Sequence, residues 1–165
     1  MDKLFRIGDF CFRLLVPENL PFPSNFLLFE TKQGLPEYSY HLCITDKIPQ
    51  LEGKVIAVRS DIVVYQTSFG ESRLLGIKGK DTFYACYQER SEGQAEVLLS
   101  MHEISGLHID PVFSSMFALE RHMIKRDSLI LHCAYTVYKG KAILFSAPSG
   151  TGKSTQAELW QQYRG

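Results

Sequence analysis

The sequence predicts an α+β protein: an antiparallel, β-rich amino-terminal domain over 1–105, then a helix and the strand–loop–helix start of a nucleotide-binding domain over 106–165. Three observations carry this. Residues 4 to 100 alternate β-branched and aromatic residues with turn signals; the texture becomes helical after Gly106; and "SAPSGTGKSTQAELW", residues 146–160, has the composition of a phosphate-gripping loop that enters a helix.

The amino-terminal stretch reads as a succession of short strands. "DIVVYQTS", "ESRLLGIKG", "DTFYACYQE" and "AEVLLS" follow one another with turn signals at "FG", "GK" and "SEGQ", spacings that suit hairpins of an antiparallel meander. Pro17, Pro21 and Pro23 crowd one connection, and proline cannot donate to a strand ladder, so an irregular loop is expected there. Tyr38, Tyr40, Tyr84 and Tyr87 either pack in the sheet or line a peptide-binding surface; ordinary packing is the simpler reading.

Beyond Gly106, "DPVFSSMFALERHMIKRDS" places Val112, Met116, Leu119 and Met123 on one helical face, widened by Phe113, Phe117 and Ile124. Asp110 before Pro111 suits a cap followed by proline at the first helical position, and Lys125 with Arg126 suits the negative end of the helix dipole. A single amphipathic helix packed on a core is predicted. "SLILHCAYTVYKGKAILFSA" then reads as two strands joined at Lys139-Gly140, the second running into the glycine-rich loop.

Composition narrows the function classes. With 45% hydrophobic residues in 165, the chain can bury a sizeable core, and 18 basic residues balance 18 acidic ones, so no global field selects nucleic acid or an anionic membrane. No apolar run approaches the roughly 20 residues that span a bilayer. Cys11, Cys43, Cys86 and Cys133 form no CxxC pair, and the amino terminus lacks the pattern of a secretory leader. Reduced thiols and a cytoplasmic location are expected.

The residues Ala147, Pro148, Ser149, Gly150, Thr151, Gly152, Lys153 and Ser154 match G-x-x-x-x-G-K-[ST] except that alanine stands in the first glycine position. Alanine suits that position if its backbone stays in an ordinary region, whereas Gly150 and Gly152 are where positive φ or a close phosphate needs a missing side chain. Successive loop amides form an anion nest, and the helix that starts near Lys153 adds its positive end. Lys153 then neutralises the β and γ phosphates of ATP, the Ser154 hydroxyl ligates Mg²⁺, and Thr155 supports the helix start.

On these residues the chain from about 111 to 165 resembles the start of the catalytic domain of the HPr kinase/phosphorylase family. The resemblance rests on "FALERHMIKRDS", on "LILHCAYTVYKGKAILFSA" with His132 early in its strand, and on "APSGTGKSTQAELW", whose Lys153 follows that histidine by 21 positions. It implies that His132 approaches the transferring phosphate, making His132 and Lys153 the catalytic candidates, and that the acceptor is a serine of a protein or peptide. It also implies an aspartate base and a metal-binding glutamate beyond the loop; neither falls within the 165 residues, and Glu158 is the sole acid after the loop. The chain is therefore expected to be a truncated form that binds nucleotide weakly and turns over nothing, with uncovered sheet edges that favour homo-oligomers. One alternative is a peptide-binding or regulatory module with a vestigial or sensing loop. Another is a phosphoenolpyruvate-carboxykinase-like enzyme acting on a small acid, for which no metal-ligand cluster is visible.

Overall fold

The computed structural model describes residues 1–80, 82–108, 110–148 and 150–164, and at 108, 110 and 111 the backbone alone. It is a mixed α+β chain of two compact units, Met1–His122 and Met123–Gly165. The division falls later than Gly106 because the aromatic residues after it pack into the first unit.

That unit is built on one nine-stranded sheet. Its strands are β1 (Asp2–Ile7), β2 (Phe10–Leu15), β3 (Glu30–Thr31), β4 (Tyr38–Thr45), β5 (Lys54–Arg59), β6 (Ile62–Thr67), β7 (Gly70–Gly76), β8 (Phe83–Ser91) and β9 (Gln94–Ser100), in the order β3-β1-β2-β4-β9-β8-β7-β6-β5. The run from β6 to β9 is the antiparallel meander the spacings predict, and β5 extends it by one more antiparallel strand. The sheet as a whole departs from an antiparallel one. β4 pairs in parallel with β2 on one side and with β9 on the other, so it joins two halves that are each antiparallel. Parallel neighbours need long crossovers. The connection from β2 to β4 supplies one, through the proline-rich loop, the short helix α1 (Ser24–Leu27) and β3; the whole β5–β8 meander supplies the other.

Helical segments cover one face of this sheet. A 3₁₀ segment (Met101–His108) leads to α2 (Asp110–Ser115) and α3 (Leu119–Ile124). The single helix predicted after Gly106 is thus two short ones, broken where Ala118 takes φ 47. The predicted face still does its work, since Phe113, Met116, Phe117, Leu119 and Met123 are all buried while Ile124 lies out at 66% exposure. The break lets Phe117 turn under the helices instead of continuing the stripe. It stands edge-on to Tyr40 at 5.2 Å, and Phe113 meets Phe26 at 4.8 Å and Phe22 at 5.1 Å. Phe5 and Phe12 extend this cluster across β1 and β2. Each such side chain contributes about 1.5–3 kcal/mol by leaving water. α2 opens with Pro111 in its first turn, where no helical N–H is needed; the cap expected of the Asp110 side chain lies outside the described residues.

An ionic network ties α3 to the meander. Arg73, 8% exposed, donates from Nε to Glu71 at 2.5 Å and from Nη1 to Glu120, while Arg121 pairs with Glu89 and, at 3.4 Å, with Glu71. Glu89 also accepts the backbone N–H of Glu71 at 2.7 Å. The four tyrosines considered for a peptide surface are buried, and Tyr38 and Tyr87 meet hydroxyl to hydroxyl at 3.2 Å. They belong to the core, so a surface built from them is excluded. All four cysteines are free thiols.

The second unit holds β10 (Ala134–Tyr138), β11 (Lys141–Phe145) and α4 (Lys153–Arg164). β10 and β11 form an antiparallel hairpin across Lys139-Gly140, where both residues take positive φ, 49 and 73, as a type I′ turn requires. α4 lies against the hairpin, burying Ala157 and setting Trp160 edge-on to Tyr138 at 5.8 Å. Tyr135, Val137 and Leu144 are left exposed. The segment 128–133, apolar enough to be read as strand, has none of the regular pairing of β10. Before it, Asp127 at φ 51 closes the chain after α3, with the Ser128 N–H donating to the Met123 carbonyl at 2.9 Å. Among the described residues, no helix is long and apolar enough to cross a membrane.

Candidate functional site

The loop between β11 and α4 gathers nearly all the residues the sequence singles out. β11 carries the chain to Phe145, the loop covers 146–152, and α4 begins at Lys153. Gly150 and Gly152 both hold positive φ, 81 and 84, the left-handed region that L side chains rarely adopt. A Cβ at either would meet no atom within 4 Å. The requirement for glycine is therefore one of backbone angle rather than of crowding by this chain. Ala147, in the position where the motif has its first glycine, is not among the positive-φ residues, which is why alanine is tolerated there.

Two side chains hold the loop in shape. Thr151 donates its hydroxyl to the Pro148 carbonyl at 2.7 Å. Lys153 turns back over the loop, its Nζ donating to the carbonyls of Ala147 at 2.9 Å and Pro148 at 3.1 Å. An ammonium has three donors, so one remains for an incoming acceptor. The first bond into α4 is Gln156 N–H to the Gly152 carbonyl at 2.9 Å. The amides of Lys153, Ser154 and Thr155 thus have no acceptor within the helix. They sit at its positive end, beside the Lys153 ammonium, and this combination favours an anion. Ser154 and Thr155 are exposed on the first turn of α4; Ser149 lies outside the described residues.

His132 is placed differently from the expectation. It lies in the irregular segment before β10, two residues short of the strand, where it is exposed and makes no hydrogen bond or ion pair among the described residues. The cause is that pairing in the hairpin starts at Ala134–Phe145 and, among the described residues, leaves 128–133 without a partner strand. Glu158 is exposed on α4. Among the described residues, no group of three His, Cys, Asp or Glu side chains converges as metal ligands.

A second concave feature, which the sequence did not disclose, lies wholly in the Met1–His122 unit. Arg59, Val64, Arg73, Tyr84, Ser115 and Glu120 are among the residues that line a cleft of about 440 Å³. The Tyr84 hydroxyl is tied to Ser115 at 2.8 Å and to the Val112 carbonyl at 3.1 Å. Nothing in the local sequence announces this cleft, because it depends on α2 and α3 folding back over strands far away in the chain.

Compared with family models, with curated proteins and with solved structures, the chain gives no significant match to any of them.

Proposed function

We propose that Ala147–Thr155 grip the β and γ phosphates of ATP, and that the chain serves an ATP-dependent phosphotransferase of the HPr-kinase-like group acting on a protein or peptide serine. One observation carries the reading: two positive-φ glycines on either side of Thr151, Gly150 and Gly152, lead directly into a 12-residue helix whose first residue, Lys153, already extends its ammonium over the loop. The resemblance noted for residues 111–165 supplies the reaction class.

In this reading the open space over Gly150 and Gly152 takes phosphate oxygens, and the amides of Lys153 to Thr155 donate to them. Lys153 exchanges the Ala147 and Pro148 carbonyls for the more strongly accepting phosphate oxygens. The exposed Ser154 hydroxyl fits Mg²⁺, a hard cation that binds through a few oxygens and keeps its waters. Bound there, the ion neutralises charge that develops on the phosphates. Phosphoryl transfer breaks the bond from the γ-phosphorus to its bridging oxygen and forms one to the serine oxygen, whose proton passes to a base. His132, exposed and without a hydrogen-bonded partner among the described residues, is proposed to approach the transferring group. Glu158, exposed on α4, is assigned no part in the proton transfer.

Titration with a fluorescent ATP analogue in magnesium buffer tests the reading. Wild type is expected to bind and Lys153→Ala to lose most of that affinity; equal binding by the two would reject it.

A further inference from the structure

The nine-stranded sheet ends very differently at its two edges. One is closed by β3, two residues long; the other is β5, Lys54–Arg59, six residues long and exposed at every position. Among the described residues β5 has a neighbour on one side only, β6, so its outer amides and carbonyls face no strand. Long apolar edges are normally shortened or shielded, because they template pairing with other chains. β5 instead shows Val55, Ile56 and Val58 at 46%, 50% and 69% exposure.

The register gives this edge a specific surface. Across the bulge between Val55 and Ala57, pairing places Ala57 and Arg59 on the same sheet face as Ile62, Val64, Arg73 and Leu75. That face is the floor of the 440 Å³ cleft, with Ser115 and Glu120 on its helical side and β5 along its rim. A strand added to β5 would therefore gain backbone hydrogen bonds at the edge and send alternate side chains over a half-apolar floor.

Charge selects the occupant. Four apolar residues are flanked by Lys54 at one end and Arg59 at the other. A second copy laid antiparallel over the same span sets Lys54 against Arg59 at both ends, and an in-register parallel copy sets each cation against itself; like charges facing across strands are unfavourable. An acidic residue at each end of the added strand removes the conflict. Lys54 pairs with no carboxylate among the described residues, and Arg59 holds only the exposed Asp61 at 3.3 Å, a contact easily exchanged.

We propose that β5 receives an extended segment of a partner protein as an added strand, apolar and β-branched in its middle and acidic at its ends. The site lies in the unit that does not contain the phosphate loop, so it stands independently of the nucleotide reading.

Fluorescence anisotropy tests it with two labelled peptides, each of alternating Val and Thr, one flanked by glutamates and the other by lysines. The glutamate-flanked peptide is expected to bind saturably, about tenfold more tightly than the other, by the pairing of opposite charges across strands. Lys54→Glu should narrow or invert that preference, and Val58→Lys should abolish binding, with both variants melting like wild type because the replaced side chains are exposed. Lys153→Ala should bind the peptide unchanged, which separates this site from the loop. Failure of both peptides to bind, equal affinity for the two, or a dimer in sedimentation that Val58→Lys dissolves would each overturn the proposal.

Discussion

The ammonium of Lys153 lies 2.9 Å from the carbonyl oxygen of Ala147, the first residue of the glycine-rich motif, six positions earlier. This contact closes the loop on itself; in the proposed function it is exchanged for phosphate while the helix that carries the lysine stays in place. Lys153→Ala is accordingly expected to cut ATP affinity by at least about tenfold, the loss of one charge-assisted contact to phosphate. Its melting temperature should stay close to that of wild type, because the bonds lost are on the surface; thermal denaturation followed by circular dichroism checks this.

Gly150 and Gly152 sit at φ 81 and 84 with no atom in the way of a Cβ. Alanine at either should cost about 1–2 kcal/mol through backbone strain alone. Nucleotide binding should suffer more than stability, since the added methyl occupies the space assigned to phosphate oxygens. Parallel chemical denaturation and ATP titrations of Gly150→Ala and Gly152→Ala measure the two effects separately.

The Arg73 guanidinium is 8% exposed and serves both Glu71 and Glu120. Removing it in Arg73→Met leaves Glu71 half-buried without that partner and should destabilise the Met1–His122 unit by about 3 kcal/mol. Adding Glu71→Gln should recover part of this loss, because the stranded charge goes with it. Urea denaturation of the single and double variants gives the comparison.

Raised alkaline pH should unfold the first unit. Burial pushes the Cys86 thiol up to about 12 from 9.0, and burial likewise raises Tyr84, Tyr87 and, most of all in a fully buried position, Tyr40 from 10.0. The native state holds these protons where the unfolded chain releases them. Their contribution is therefore complete below about pH 9 and is lost as pH climbs from there toward 12. Melting temperatures should be flat from about pH 7 to 8.5 and fall steadily above it. Constant melting up to about pH 11 would contradict the buried setting of these groups.

The meander from β6 to β9 was legible because each strand is bounded by its own turn residues, and neighbours in sequence are neighbours in the sheet. The parallel pairing of β4 was not legible. Tyr38–Thr45 carries a strand pattern but no local sign that its partners are Phe12 and the strand that starts at Gln94, both far away in the chain. The break in the predicted helix also lacks a signal: Ala118 is a strong helix former, yet it takes φ 47 next to Phe117, which packs against Tyr40, Phe26 and Phe113. Within the candidate site, the glycine positions and the reach of Lys153 follow from the motif itself. The place of His132 does not, because "SLILHC" has the composition of a strand without a partner to pair with.

The most direct test of the account follows the backbone amides of Gly150, Gly152, Lys153 and Ser154 by heteronuclear NMR while Mg-ATP is added. The loop reading predicts large, saturable shifts confined to these residues and their neighbours, and their absence in Lys153→Ala. A folded β10–β11–α4 unit whose loop amides do not move at millimolar ATP would contradict it.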